Sequence, residues 1–212
     1  MGHTVEETVW IPLSDGTRLA ARVWMPAGDG PFPAVLEFLP YRRRDGTSQR
    51  DESTYPAFAE AGIAGVRVDG RGNGDSEGFF DDEYSPQELQ DACEAIAWIA
   101  GQEWSNGRVG MMGISWGGFN SLQVAAMRPP ALKAVITIAS TADRYNDDIH
   151  YKGGCQLSAN VSWATTMLSW ASRPPDPAVL GERWREVWLE RLRRQPFLLE
   201  TWLAHQRRDD YW

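Results

Sequence analysis

VGMMGISWGGFNSLQVAAM, residues 109–127, sets Ser115 among glycines, with an apolar run before it and a helix-like run after it. Gly113-Ile114-Ser115-Trp116-Gly117 fits the pattern G-x-S-x-G, and Gly118 follows directly. Composition alone yields that pattern in roughly one chain of this length in twenty, so its surroundings decide its meaning. A strand that turns into a helix within so few residues forces strained backbone at the tip. Side chains at 113 and 117 would collide with neighbouring backbone, which favours glycine there. The serine hydroxyl is left exposed at the tip, and the following helix aims its first N–H groups at developing negative charge. Strand before, helix after: this is the context a nucleophilic serine needs. The other reading of Ser115 is a tight turn with a capping serine.

Working outward, 5–11 and 17–24 read as strands, with Ser14-Asp15-Gly16 supplying hairpin chemistry between them. Residues 34–39, AVLEFL, resemble a strand buried on both faces. A polar loop follows, then a helix around Tyr55–Ala61 ended by Gly62. Residues 63–69 give the next strand, followed by the loop GRGNGDSEG. A long helix then opens at Ser85-Pro86-Gln87-Glu88 and runs to about Ala100, with Ser85 as N-cap and Glu88 in the capping-box position. Strands at 108–112 and 132–139 flank the helix behind Ser115. The alternation predicts an α/β sandwich, mostly parallel with a leading antiparallel hairpin. Its chemistry belongs at the carboxyl ends of the strands, in the loops after residues 39, 69 and 112.

From about residue 144 the pattern turns helical and rich in tryptophan, and SRPPDPAVL (172–180) reads as a turn between helices. The expected organisation is a core over 1–143 and a helical cap segment over 144–212. Lys+Arg 21 against Asp+Glu 29 leaves a net charge of −8, which argues against nucleic acid or an anionic membrane as partner. No apolar run approaches the roughly 20 residues of a membrane helix. The acidic start shows no secretory leader, so a cytoplasmic location is expected. Cys93 and Cys155 have no metal spacing and read as two free, buried thiols. Three histidines make a multi-histidine metal site a poor reading, and no metal or organic cofactor is implied. Oligomeric state is left open.

An oxyanion needs two donors, and the backbone N–H of Trp116 is the first. No HGGG-type run follows the 34–39 strand to supply the second. Pro40-Tyr41 stands there instead, and Tyr41 is either an oxyanion donor through its hydroxyl or a core aromatic. GRGNGDSEG fails as a dinucleotide fingerprint: counted from Gly70 the sixth position is Asp75, and from Gly72 it is Glu77.

PY after the third strand, VDGRGNGDSEG, DACEAIAWIAGQEWSNGRVGMMGISWGG, DRYNDDIHYKGG and WLAHQRRDDYW together resemble the CocE/NonD serine hydrolases. These α/β-hydrolases include cocaine esterase and are related to α-amino-acid ester hydrolases and X-Pro dipeptidyl-peptidases. The resemblance implies that Ser115 is the nucleophile and that the Tyr41 hydroxyl completes the oxyanion hole. Trp116 stands where many relatives carry tyrosine, a change that alters pocket shape and leaves the backbone donor in place. The implied function is cleavage of small-molecule ester, amide or peptide substrates by acyl transfer.

Such enzymes order their triad as serine, acid, histidine along the chain. Only His150 and His205 follow Ser115, both in the helical segment, and either is a base or simply a polar cap residue. The resemblance puts acid and histidine beyond the cap, ahead of a jelly-roll domain. The expectation is therefore a C-terminally truncated chain without the triad Asp and His. Trp163, Trp170, Trp184, Trp188 and Trp202 either shape an acyl pocket or pack helices. Asp143, Asp147 and Asp148 either meet a substrate ammonium or form a solvated acidic loop. The alternative in another class is a non-catalytic α/β binding module.

Overall fold

The structure, a computed structural model, describes residues 2–212. Ser14-Asp15-Gly16 joins β1 (His3–Pro12) to β2 (Arg18–Pro26) as an antiparallel pair. β3 (Phe32–Leu39), β4 (Ala64–Asp69), β5 (Ser105–Ile114) and β6 (Leu132–Ile138) are mutually parallel. The sheet order is β1-β2-β4-β3-β5-β6, with β2 antiparallel to β4. Leading hairpin and parallel body are both as the sequence implies.

Alternation along β3 shows why its run is almost wholly apolar. Ala34, Leu36 and Phe38 join one core with Val66, Val68, Val109 and Met111. Val35 points into a second core with Trp24, Tyr55 and Ala59. A strand with helices on both faces has no solvent side to make polar. α2 (Pro86–Ala100) and α3 (Trp116–Met127) supply Ala92, Ala95, Ile96, Ile99 and Val124 to the first core. α1 (Ser48–Glu60) closes the second.

α2 begins and ends where its sequence predicts. The Ser85 hydroxyl accepts from Glu88 N–H at 3.2 Å. The Glu88 carboxylate reaches back one residue further than a simple capping box, accepting from Tyr84 N–H at 2.9 Å. α1 starts seven residues before the expected Tyr55, and Pro56 lies inside it. Its first two turns are polar, and their inward anchor is Asp51, buried against Arg50 and Arg67. No apolar period marks them.

β6 pairs with β5 alone among the described residues, and Ile136 and Ile138 are exposed on it. Beyond it a small hairpin, β7 (Tyr151–Lys152) and β8 (Cys155–Gln156), turns at Gly153-Gly154, both with positive φ. Two-residue strands show no period, so only the glycine pair signals them. Cys155 lies in this hairpin and is exposed, while Cys93 is half-buried. The expectation of two buried thiols is corrected accordingly.

Four helices complete the chain: α4 (Ala159–Ala171), α5 (Pro177–Leu180), α6 (Trp184–Arg194) and α7 (Leu198–Ala204). The proline run is a turn between α4 and α5, where the Asp176 carboxylate accepts from Ala178 N–H at 2.8 Å. Arginines fasten these helices to the loops at the sheet's carboxyl end. Arg42 donates to the carbonyls of Arg173 and Pro174, and Arg191 to those of Gly74 and Ser76. Among the described residues, no helix is long and apolar enough to cross a membrane.

Candidate functional site

Ser115 sits between β5 and α3 with φ 52° and ψ −116°. That backbone conformation is sparsely populated and costs about 1–3 kcal/mol, so the surroundings must hold it. They do so from both sides. Ser115 N–H donates to the Ile138 carbonyl of β6 at 2.8 Å, and the Ser115 carbonyl accepts from Phe119 N–H at 2.9 Å. Positive φ also occurs at Arg42, in the loop after β3, and at Tyr84, just before α2. Strain of this kind gathers at functional sites.

Tyr41 follows β3 and is brought to the same place. Its phenol faces the Ser115 side chain and Trp116 N–H. Burial holds its pKa far above the ordinary phenol value, and the charge on Glu83 adds to this, outweighing the opposite pull of Ser115 and Trp116 N–H. The hydroxyl therefore keeps its proton and stays a donor. Its ring is enclosed by Trp116, Trp163 and Trp170, with centroids 6.2, 6.2 and 5.7 Å away. Ser115, Tyr41 and Trp116, singled out separately in the sequence, meet at one point.

The loop bearing Tyr41 is fixed by the loop after β4. Asp69 accepts from Arg43 N–H at 2.7 Å, and Asp75 pairs with the Arg43 and Arg44 guanidiniums, each at 3.0 Å. A Cβ on Gly74 would overlap the Asp69 carboxylate, and one on Gly72 the backbone of Phe79 and Phe80. The glycines of GRGNGDSEG thus make room for the chain's own carboxylate and backbone. A phosphate has no cradle there.

The family's sequence profile, that of the X-Pro dipeptidyl-peptidases (S15), matches residues 15–212. The chain belongs to the S15 family. This S15 chain is 34% identical over 168 residues to cocaine esterase from Rhodococcus sp. (strain MB1 Bresler), covering 76% of itself and 28% of the esterase. The fold superposes on that of a CocE/NonD family hydrolase from Staphylococcus aureus with TM-score 0.76 and 23% identity, covering 100% of this chain and 38% of that one. An α-amino acid ester hydrolase gives TM-score 0.72 and 25% identity, covering 99% and 39%. The resemblance and the α/β-hydrolase fold expected from the sequence are both borne out. The chain spans between a quarter and two fifths of the length of these relatives.

Neither downstream histidine of the S15 chain is bonded to Ser115. His150 is buried, with Nδ1 2.6 Å from Asn160 Oδ1 and Nε2 2.7 Å from Glu83 Oε2. The same Glu83 carboxylate accepts from Arg144 at 2.7 Å and from the Trp163 indole at 3.0 Å. Burial opposes charge on both partners, yet their hydrogen bond and mutual attraction prevail: the His150 pKa is raised and the Glu83 pKa is lowered. Both ring nitrogens of His150 are thus engaged within the cap and the loop before α2. His205 Nδ1 contacts Asp209 at 2.8 Å and its ring stacks on Tyr211.

Of the tryptophans, Trp163 and Trp170 lie against Tyr41, whereas Trp202 is buried beside His150 and Trp184 stacks on Trp188. Asp143 pairs with Arg208 and Asp147 with Lys152, while Asp148 lies 3.7 Å from Arg144. A cavity of about 260 Å³ lined by Trp10, Arg18, Phe79 and Arg183 includes none of Ser115, Tyr41 or Trp116.

Sequence reasoning missed two residues at the site, Glu83 and the second role of Glu88. Glu83 stands in the acidic stretch DDEY, indistinguishable by pattern from its exposed neighbour Asp81. Glu88 reads as a cap, but its Oε1 also accepts from the Trp116 indole at 2.6 Å and from Asn120 Nδ2 at 2.9 Å.

Proposed function

We propose that this chain carries the acyl-transfer centre of a serine hydrolase acting on small-molecule esters, amides or peptides. The observation behind it is the strained Ser115 backbone with the Tyr41 phenol against its side chain and Trp116 N–H alongside. Ser115 Oγ attacks the substrate carbonyl carbon, and the carbonyl oxygen becomes an oxyanion. Tyr41 O–H and Trp116 N–H donate to that oxygen, the first from the loop after β3 and the second from the start of α3. Collapse of the tetrahedral species expels the alcohol or amine and leaves Ser115 acylated; water then releases the acid. No metal or organic cofactor enters these steps.

The Oγ proton needs a base, and a neutral serine without one is a weak nucleophile. His150 has both ring nitrogens committed and His205 is engaged with Asp209. We infer that the base and its acid partner lie outside these residues, and that residues 144–212 act as a cap bearing on the acyl side. The same observation favours the second reading, a non-catalytic binding module. The two readings part on one experiment. With imidazole added to stand in for the base, a hydrolase centre is phosphonylated at Ser115 by a reactive fluorophosphonate, and Ser115→Ala abolishes this; a binding module shows no Ser115 adduct. Multiple turnover of an ester by residues 1–212 alone would contradict the placement of the base.

A further inference from the structure

Glu88 lies directly behind the proposed oxyanion site and is tied to three separate segments. Its Oε2 accepts from Tyr84 N–H, ahead of α2. Its Oε1 accepts from the Trp116 indole and from Asn120 Nδ2, both on the first turns of α3. Asn120 Nδ2 also donates to the Phe38 carbonyl of β3 at 3.1 Å, three residues before Tyr41. A helix cap alone needs one acceptor for one backbone N–H. Here a half-buried carboxylate takes two further donors from the helix whose first N–H faces the oxyanion.

We propose that Glu88 is a positioning residue for the oxyanion hole: by holding the Trp116 indole and Asn120, it fixes the first turn of α3 relative to β3, and hence Trp116 N–H relative to the Tyr41 hydroxyl. The proposal rests on Ser115 being the nucleophile. An oxyanion donor acts only at the right place, and a misplacement of about 1 Å can cost on the order of 10²-fold in rate. The indole bond is well suited to this task because the side chain and the donating N–H belong to one residue.

The ionised carboxylate accepts most strongly from all three donors; the acid form turns one oxygen into a donor and weakens acceptance at both. Burial pushes the Glu88 carboxyl up to about 7, against the pull of Asn120, the Trp116 indole and Tyr84 N–H. The groups facing it are the neutral Trp116 and Asn120 from α3, the Glu83 carboxylate from the preceding loop, whose charge adds to the rise, and the Tyr41 phenol from the loop after β3. The arrangement makes the site sensitive to pH through Glu88.

The test is the second-order rate of Ser115 labelling by a fluorophosphonate, measured on the 212-residue chain from pH 6 to pH 8 with a fixed excess of imidazole standing in for the base in every variant. Glu88→Gln cannot titrate, so the wild-type to Glu88→Gln rate ratio is expected to rise at least about threefold across that range, with its midpoint near 7. Trp116→Phe keeps the backbone donor and removes the indole donor; it is expected to stay folded with a lowered thermal midpoint, as a large-to-small change in the core, and to label about tenfold more slowly at pH 8. If Glu88→Gln fails to fold, Trp116→Phe carries the test. A ratio constant with pH, or wild-type labelling of Trp116→Phe, overturns the role of Glu88 alone. Absence of any Ser115 adduct in the wild type overturns the nucleophile reading and this proposal with it.

Discussion

Gly113 and Gly117 pack backbone to backbone across the turn that carries Ser115. A Cβ on Gly113 would lie 2.7 Å from the Gly117 carbonyl oxygen and closer still to its Cα and carbonyl carbon. Neither side can give way, since Gly117 in turn faces the Leu39 side chain and Glu37. Gly113→Ala is therefore expected to destabilise the chain by about 1–3 kcal/mol in urea unfolding. It is also expected to slow any reaction at Ser115. A variant of wild-type stability would mean that the turn opens easily and that its strain is not held by packing.

Removing the Tyr41 hydroxyl tests the proposed second donor. Tyr41→Phe keeps the ring packed among Trp116, Trp163 and Trp170, so the thermal midpoint should hold. Loss of an oxyanion donor lowers acylation by about 10²- to 10³-fold. Imidazole-assisted labelling of Ser115 by a fluorophosphonate, timed by mass spectrometry, reads this directly; an unchanged rate would leave Tyr41 as a core aromatic.

The His150–Glu83 pair sets a pH window for stability. The His150 pKa is raised, so its contribution is complete below the unfolded value of roughly 6.5 and is lost as pH climbs through the folded one. The Glu83 pKa is lowered, so its contribution is present above the unfolded value of roughly 4.3 and is lost as pH falls through the folded one. Together they stabilise most between those unfolded values. His150→Gln should accordingly cost more at pH 5.5, about 3–5 kcal/mol for a broken buried pair, than at pH 8.5. Equal costs at the two pH values, measured by urea unfolding, would show that His150 is neutral throughout.

Glu88 acts in the opposite sense. Its folded pKa is raised to about 7, so the folded state holds a proton that the unfolded chain has released, and stability falls as pH rises from about 4.5 to 7. Relative to wild type, Glu88→Gln should gain on the order of 3 kcal/mol between pH 4.5 and pH 8. A stability difference independent of pH would show an ordinary carboxylate.

Where a feature depends on neighbours in the chain, the sequence displays it. Ser85-Pro86 starts α2, Gly62 follows α1, and the run from Val109 to Met127 carries its strand, turn and helix in order. Tyr41 was visible as the residue standing where a glycine-rich donor loop is usual, and the family resemblance gave it a role. Features made by distant residues left no such trace. Glu83 and His150 are 67 positions apart and share no period. The indole of Trp116 and the carboxylate of Glu88 are 28 apart, each with a sufficient local explanation of its own. The start of α1 was missed because Asp51 is buried through ion pairs, and hydrophobic periodicity cannot register a buried charge.

The central claim is that Ser115 is the reacting atom's owner, and one measurement meets it most directly. The purified chain is incubated with imidazole, in place of the base, and an excess of a fluorophosphonate, digested, and the modified residue assigned by tandem mass spectrometry. The expected result is a single adduct on Ser115 that disappears in Ser115→Ala and forms far more slowly in Tyr41→Phe. An unmodified Ser115, or equal modification of Ser115→Ala at another residue, would contradict it.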